Sequence, residues 1–314
     1  MGNATRARRN ANAGSAKAGS AKAGSARGKV AASRAAERRT AVRRRILLAG
    51  GSVVVVIALV ATLIAVKLSQ SPAPAAAAQV AGSGVTAQVQ RQVTSVPLAT
   101  FNAVGAGTAT GLEAISGQPA LTVGGKPELL YIGGEYCPYC AAERWVLAAA
   151  LSRFGTLSGL SLIHSSPSDS YPNTPTLSFA NARYSSKYLA FVPVEWYGEA
   201  VDPHTPFEHA YFQQPTAQQQ ALFARYGGSS IPFVDIGNRY LLPEVQYVPS
   251  DLAGLSWTQV AAAMRDPSST QAKDIDGAVN VITAAICTLT HGQPAGVCQS
   301  AGVKAAAGSI SAGE

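Results

Sequence analysis

The chain has 314 residues, of which 47% are hydrophobic and 13% charged, and its formal net charge at pH 7 is +8. Residues 1–45 hold 13 of the 25 lysines and arginines, so the chain from Ile46 onward carries 12 basic and 16 acidic residues, a net charge of −4. The chain therefore has enough apolar residues to form a hydrophobic core. The negative net charge from Ile46 onward argues against nucleic-acid binding by that part of the chain.

Residues 1–45 predict a disordered basic tail on the cytoplasmic side. They include a tandem repeat of small and basic residues at 13–27 and contain one acid, Glu37. Such sequence buries too little apolar surface to offset the entropy of ordering it. The tail is either a solvated segment that only fixes topology, which we favour, or a polybasic arm that touches anionic lipid or nucleic acid.

The stretch 46–66 predicts a transmembrane helix. It contains no charged residue, and about 20 helical residues span a hydrocarbon core. Three arginines at 43–45 precede it, while Lys67 alone follows closely, which predicts a cytoplasmic N-terminus and an extracytoplasmic C-terminal domain. A cleaved secretory signal ending near 71–75 is the alternative, and it also predicts export. Residues 67–95, rich in Ala, Gly, Ser, Pro and Gln, predict a flexible linker, and 96–314 an exported domain.

The sequence of the domain predicts an α/β fold with a central sheet flanked by helices. An apolar run, Leu129–Ile132, predicts a buried strand, and apolar residues three and four apart predict a helix from Pro138 to near Gly155. A second run at 160–163 predicts a strand parallel to the first. Further along, the pattern predicts a loop at 165–175, a strand at 188–196, a helix at 213–226, a hairpin at 231–242 and two helices at 256–266 and 270–290.

A Cys-x-x-C pair, Cys137 and Cys140, lies where the first strand passes into the first helix. Pro138 suits a first helical position, so Cys137 is predicted at the helix N-terminus, where unpaired N–H groups and the helix dipole stabilise a thiolate. Cys140 follows one turn later and is predicted to be the resolving cysteine. Structural zinc is the alternative, with Cys287 and Cys298 as further ligands, but a pair that opens a helix on the exported side favours redox chemistry.

With the run Ser229-Ser230-Ile231-Pro232-Phe233 added, residues 125–265 resemble the thioredoxin superfamily, and the chain is similar to an uncharacterised family of single-span, extracytoplasmic thioredoxin-like proteins. The resemblance implies a cis-proline at Pro232 that faces the cysteine pair, with Ile231 binding the backbone of a peptide substrate. It also implies an insertion at 165–226, before the cis-proline. Where thioredoxin has a buried aspartate on the strand before the pair, this chain has Tyr131.

The other cysteines, Cys287 and Cys298, are predicted to form a structural disulfide, with a second exchange pair as the alternative. Tyr136 and Tyr139 border the sulfurs and are predicted either to form an apolar rim for substrate or to pack. Two acids near the pair, Glu135 and Glu143, predict ordinary surface charge, and no metal or cofactor site is predicted because the histidine spacing matches no ligand pattern.

The sequence therefore predicts a membrane-anchored thiol–disulfide exchange protein that acts on cysteines of exported proteins and works with a redox partner in the membrane. Whether it oxidises, reduces or isomerises is left open, because direction depends on reduction potential. A binding scaffold with permanent disulfides is the alternative.

Overall fold

The central strand of the domain is apolar on both sides because helices cover both faces of the sheet. In the computed structural model, which describes residues 82–242 and 244–312, this strand runs from Lys126 to Gly134 (β3). Leu129 and Tyr131 point into the larger hydrophobic cluster, while Leu130 and Ile132 point into a second one. This double burial explains the continuous apolar run.

The main sheet is mixed. Its strands besides β3 are Leu112–Ala114 (β1), Thr122–Val123 (β2), Ala190–Val201 (β8), His209–Tyr211 (β9), Phe233–Ile236 (β10), Tyr240–Leu241 (β11) and Ile310–Ala312 (β12). Their order is β12-β1-β11-β10-β3-β8-β9, and β2 pairs with β3 off this path. β3 is parallel to β8 and β12 is parallel to β1, while the other pairs are antiparallel.

Two further strand pairs lie outside the main sheet. β4 pairs with β7 and β5 with β6, each antiparallel, and the strands are Thr156–Ser158 (β4), Ser161–His164 (β5), Pro175–Ser178 (β6) and Arg183–Ser185 (β7). The prediction that the run at 160–163 forms a strand parallel to the first was therefore wrong. The parallel neighbour of β3 is β8, so part of the predicted insertion at 165–226 belongs to the central sheet.

The helices are Ser83–Thr94 (α1), Leu98–Val104 (α2), Pro138–Ser152 (α3), Ala217–Tyr226 (α4), Trp257–Ala263 (α5), Gly277–Leu289 (α6), Ala295–Cys298 (α7) and Ala301–Ala306 (α8). A π-helical turn, Ala272–Asp276, leads into α6. α3 packs against α6 on one face of the sheet, whereas Phe223 of α4 packs on the other. Mixed α/β architecture with a central sheet flanked by helices is thus confirmed.

The predicted linker at 67–95 was wrong for its last part. Residues 83–94 form the helix α1, which packs against α5 and α3. Its Val89 and Val93 are buried in the larger hydrophobic cluster. Two valines four residues apart supply the apolar stripe that holds this otherwise polar helix on the domain. The folded domain therefore begins near residue 83 instead of 96.

The predicted cytoplasmic tail at 1–45 and transmembrane helix at 46–66 lie outside the described residues, as does the linker up to residue 81. Within the part of the chain that the structure describes, no helix has both the length and the apolar character needed to cross a bilayer.

Candidate active site

Cys137 is the N-cap residue of α3, and Pro138 takes the first helical position. The backbone N–H of Cys140 donates a hydrogen bond to Cys137 Sγ at 3.4 Å. Both cysteines are free thiols, and Cys137 is only 5% exposed while Cys140 is fully buried. The sulfur of Cys137 thus accepts from a helix-end N–H group that has no partner within the helix.

A cis peptide bond joins Ile231 and Pro232, directly before β10. β10 pairs with β3, which ends just before the cysteine pair, so the sheet brings this turn to α3. Cys137 Sγ lies 3.9 Å from the Ile231 carbonyl oxygen, a distance at which a thiol donates a weak hydrogen bond. The Ile231 side chain packs against the cluster that contains both cysteines.

The two sulfurs have opposite pKa shifts. Burial raises the pKa of the Cys137 thiol, but hydrogen bonds from the Cys140 thiol and backbone, the positive charge of Arg144 and a backbone bond from Tyr139 outweigh burial and lower that pKa. Burial, together with the hydrogen bond and charge of Cys137, raises the pKa of Cys140 well above its ordinary value. Of the two thiols, Cys137 is therefore the first to lose its proton as pH rises.

Beneath the pair lies a buried ion pair, Arg144–Glu195. Arg144 Nε donates to Glu195 Oε1 at 2.9 Å and Nη2 donates to Oε2 at 2.7 Å, and both side chains have no solvent exposure. Nη2 also donates to the Gly134 carbonyl oxygen at 2.7 Å, which ties the guanidinium to the strand end before the cysteines. Arg144 follows Cys140 by four residues on α3 and so lies on the same helix face.

The predicted rim tyrosines differ in exposure. Tyr136 is buried, and its ring stacks on His209 with centroids 3.7 Å apart and contacts Tyr197 edge-on. Tyr139 is 37% exposed and meets Tyr171 edge-on at 5.7 Å. Only Tyr139 therefore offers a surface to a partner.

Glu135 is half-buried and its Oε1 accepts a hydrogen bond from the Ser178 hydroxyl, so it is only partly the surface charge that was predicted. For Glu143 the prediction of an ordinary surface charge was wrong. This side chain on α3 is fully buried, and neither of its oxygens has a hydrogen-bond partner in the described structure. Burial raises the pKa of Glu143 to about 8. Asp276 is also fully buried with both oxygens unpartnered, and burial, opposed by Arg153, raises its pKa to about 8.

These two carboxyls predict that the domain loses stability as pH rises. Each binds a proton in the folded state that the unfolded chain releases near pH 4–4.5, so the free energy of unfolding falls between that pH and about pH 8. The slope is at most about 1.4 kcal/mol per pH unit for each carboxyl. Urea unfolding of Glu143→Gln at pH 5.5, 7 and 8.5 should show a smaller decrease than the wild type. Glu208→Gln, which changes an exposed carboxylate, should keep the wild-type slope, and parallel profiles for Glu143→Gln and the wild type would contradict the prediction.

Cys287 and Cys298 form a disulfide with their Cα atoms 5.5 Å apart. It joins the end of α6 to α7, and both residues lie in the larger hydrophobic cluster. Because these cysteines bond each other, they are not thiolate ligands for a zinc ion at the other pair. Among the described residues, no group of three or more His, Cys, Asp or Glu side chains is arranged to hold a metal ion.

Residues 114–288, more than half of the chain, match the family described as Domain of unknown function (DUF929). The chain belongs to the DUF929 family. No curated protein and no solved structure matches it significantly.

The DUF929 segment contains the cysteine pair, the Arg144–Glu195 ion pair and the cis-proline, whereas Cys298 lies beyond it. Sequence reasoning placed Cys137, Cys140, Ile231 and Pro232 at one site, and the structure brings these four together. It missed Glu195, and it left open whether Arg144 points towards the cysteines and favours the thiolate. An arginine one turn after a Cys-x-x-C pair, inside an otherwise apolar helix, was the signal that a buried counter-ion was needed.

Proposed function

We propose that the chain is a thiol–disulfide exchange protein of the thioredoxin superfamily that works outside the cytoplasmic membrane on cysteines of exported proteins. One observation carries the proposal: two free cysteines at the start of a helix have opposite pKa shifts, and the one whose pKa is lowered, Cys137, lies 3.9 Å from the carbonyl oxygen before a cis-proline. A sulfur with a lowered pKa is the attacking species in exchange, and the high pKa of the second sulfur keeps it a thiol until it is needed.

In the reducing direction, the Cys137 thiolate attacks one sulfur of a partner disulfide. A Cys137–partner bond forms, the partner's S–S bond breaks, and the second partner sulfur leaves as a thiolate that takes up a proton. Cys140 then loses its proton and attacks Cys137 Sγ, which forms the Cys137–Cys140 disulfide and releases the first partner sulfur. The partner gains two electrons and the pair loses two, and the reverse sequence oxidises a partner dithiol.

The arrangement of the sheet supports the thioredoxin assignment. The helix that carries the pair follows a buried strand, and the cis-proline precedes the antiparallel strand paired to it. In this superfamily, a residue before the cis-proline binds the peptide backbone, and the half-buried Ile231–Pro232 turn beside Cys137 fits that role. Tyr131, which replaces the aspartate of thioredoxin, is buried with Arg144 5.9 Å from its ring centre.

The proposal includes a membrane anchor at 46–66 and a redox partner in the membrane. It is supported by the uncharged stretch itself and by the arginines at 43–45 before it, which favour a cytoplasmic N-terminus. A partner is needed for net oxidation or reduction, because each such turnover leaves the cysteine pair in the opposite redox state. Its thiols or cofactor would restore the starting state on the extracytoplasmic side.

The decisive experiment traps the intermediate. Full-length Cys140→Ala, expressed in cells, should accumulate mixed disulfides with exported proteins because the resolving thiol is missing. These adducts should disappear on reduction and should not form in Cys137→Ala or in the Cys137→Ala/Cys140→Ala double variant. Non-reducing gels with mass spectrometry of the adducts read the result, and an absence of adducts through Cys137 would overturn the proposal.

A binding scaffold is the second candidate, and one observation favours it. Cys137 is only 5% exposed, so the surface available for attack is small. A scaffold would bind its partners equally well in the wild type, in Cys140→Ala and in the double variant, with no covalent adduct in any of them. The same experiment therefore separates the two functions.

A further inference from the structure

A cavity of about 710 Å³ opens beside the cysteine pair. Tyr139, which stands between the two cysteines in sequence, forms part of its wall, and so do Ile231 and Pro232. Ile231 is also the residue whose carbonyl oxygen lies 3.9 Å from Cys137 Sγ. A polypeptide joined to Cys137 and lying on this turn would therefore have neighbouring side chains at the mouth of the cavity.

The cavity is lined by buried hydrogen-bond acceptors. Asp274 and Gln246 line it and are 5% and 1% exposed; within the described structure Gln246 Oε1 has no partner, and Asp274 Oδ2 has none other than the neighbouring Asp251 carboxyl. Buried polar atoms are normally hydrogen-bonded, so an unpaired amide oxygen beside two adjoining carboxyls calls for a donor from a bound group.

The charge of the cavity is negative. Asp251 and Glu244 line it together with Asp274, and none of the described lining residues is basic. Burial, the charge of the nearby Asp274 carboxyl and a hydrogen bond between the two carboxyls all raise the pKa of Asp251, as expected for two acids that lie together. A positively charged donor would relieve the repulsion between the carboxyls and pair the free oxygen of Gln246 at the same time.

The remaining walls are apolar and suit the stem of a long side chain. Tyr139, Tyr171 and Val248 contribute rings and methyl groups around the acidic residues. Lysine and arginine bury their methylene stems along such surface while their charged ends reach a polar site, and tyrosine rings also attract cations.

We propose that this cavity binds a lysine or arginine side chain of the polypeptide whose cysteine reacts with Cys137. The inference rests on the proposed exchange function and adds its substrate class: extended segments with a basic residue close to the reactive cysteine. An acidic residue at the same position is repelled by the carboxylates and leaves the buried oxygen of Gln246 unpaired.

Peptides of one sequence that carry a single cysteine as its mixed disulfide with thionitrobenzoate provide the test. Each has lysine, arginine, glutamine or glutamate at one position, two or three residues before or after the cysteine. Reduced full-length protein is mixed with each peptide. Cys137 attacks the peptide sulfur, and thionitrobenzoate leaves as a coloured thiolate whose release gives the rate. At the matching position, the basic peptides should react about tenfold faster than the glutamine peptide, and the glutamate peptide more slowly.

Two variants assign the preference to the cavity. Asp251→Asn and Asp274→Asn keep the side-chain shape but remove charge, so the lysine-to-glutamine rate ratio should fall to about twofold in each. Glu208→Gln removes an exposed carboxylate that does not line the cavity, and it should keep the full ratio. Unfolded molecules would react with both peptides alike and lower the ratio, so the variants are compared only where their near-UV circular dichroism matches that of the wild type.

The outcomes separate this inference from the proposed function. Reaction of all peptides at rates within twofold of one another would overturn the basic-residue preference while exchange itself stands. A preference that Asp251→Asn and Asp274→Asn leave intact would equally overturn its assignment to this cavity. No reaction of Cys137 with any peptide would instead count against exchange.

Discussion

Replacing Glu195 with alanine should lower the free energy of unfolding by about 3–5 kcal/mol, because Arg144 would keep its charge in a buried site with no counter-ion. Both side chains are fully buried and joined by two hydrogen bonds. Glu195 Oε1 also accepts a hydrogen bond from the backbone N–H of Phe179 at 3.1 Å, so the variant would leave this N–H without its acceptor as well. Urea unfolding of the full-length protein measures the loss.

The double variant Arg144→Met/Glu195→Leu provides the control. It replaces both charges with apolar groups, so most of the lost stability should return. Its Cys137 should nevertheless have a higher pKa than the wild type, because Arg144 is one of the groups that lower it. Titration of thiol reactivity against pH reads this effect independently of stability. A double variant as unstable as Glu195→Ala, or one with an unchanged Cys137 pKa, would contradict the roles assigned to the ion pair.

Removal of the Cys287–Cys298 disulfide should lower the free energy of unfolding by about 3 kcal/mol, the value expected for closing a loop of this size. The bond links positions 11 residues apart, and both half-cystines are buried in the hydrophobic cluster. The Cys287→Ala/Cys298→Ala variant tests this, because alanine leaves no buried hydroxyl unpaired as serine would.

A reductant supplies the matched comparison. Dithiothreitol should lower the stability of the wild type towards that of the double alanine variant and should leave the variant itself unchanged. Mixed-disulfide trapping in Cys140→Ala should be the same with and without the Cys287–Cys298 bond. Loss of trapping in its absence, at a temperature where the domain remains folded, would instead favour the alternative that these two cysteines relay electrons to the pair.

The elements that sequence predicted well are those with strong local signals at both ends. β3 is apolar on both faces and closed by two glycines, and α3 begins with a proline at its first position. The run at 160–163 is a strand as predicted, but its partner was wrong because an apolar run carries no information about which strand it pairs with. The true parallel neighbour of β3 begins at Ala190. In α1, the small and polar residues hid the two valines that fix the helix to the core.

The residues of the candidate site also fall into two groups, those that a local motif identifies and those that only the fold brings together. Its cysteines and cis-proline come from short motifs whose chemistry is local, so their residues were identified from the sequence. Glu195 lies 51 residues from Arg144 along the chain, and only the fold brings their charges together. The burial of Glu143 was missed for a related reason. The sequence of its helical turn does not show whether elements that pack on α3 cover it.

β3 also determines which side of the site is able to move. It is hydrogen-bonded at both edges and covered on both faces, so we expect its amide hydrogens to be among the slowest to exchange in the domain. Cys137 follows β3 by three residues and is thus held close to this well-packed strand. The opposite wall includes an exposed turn at 228–230 that leads to Pro232. We therefore expect an opening that admits a partner to take place on the Pro232 side, while Cys137 and its helix keep their position.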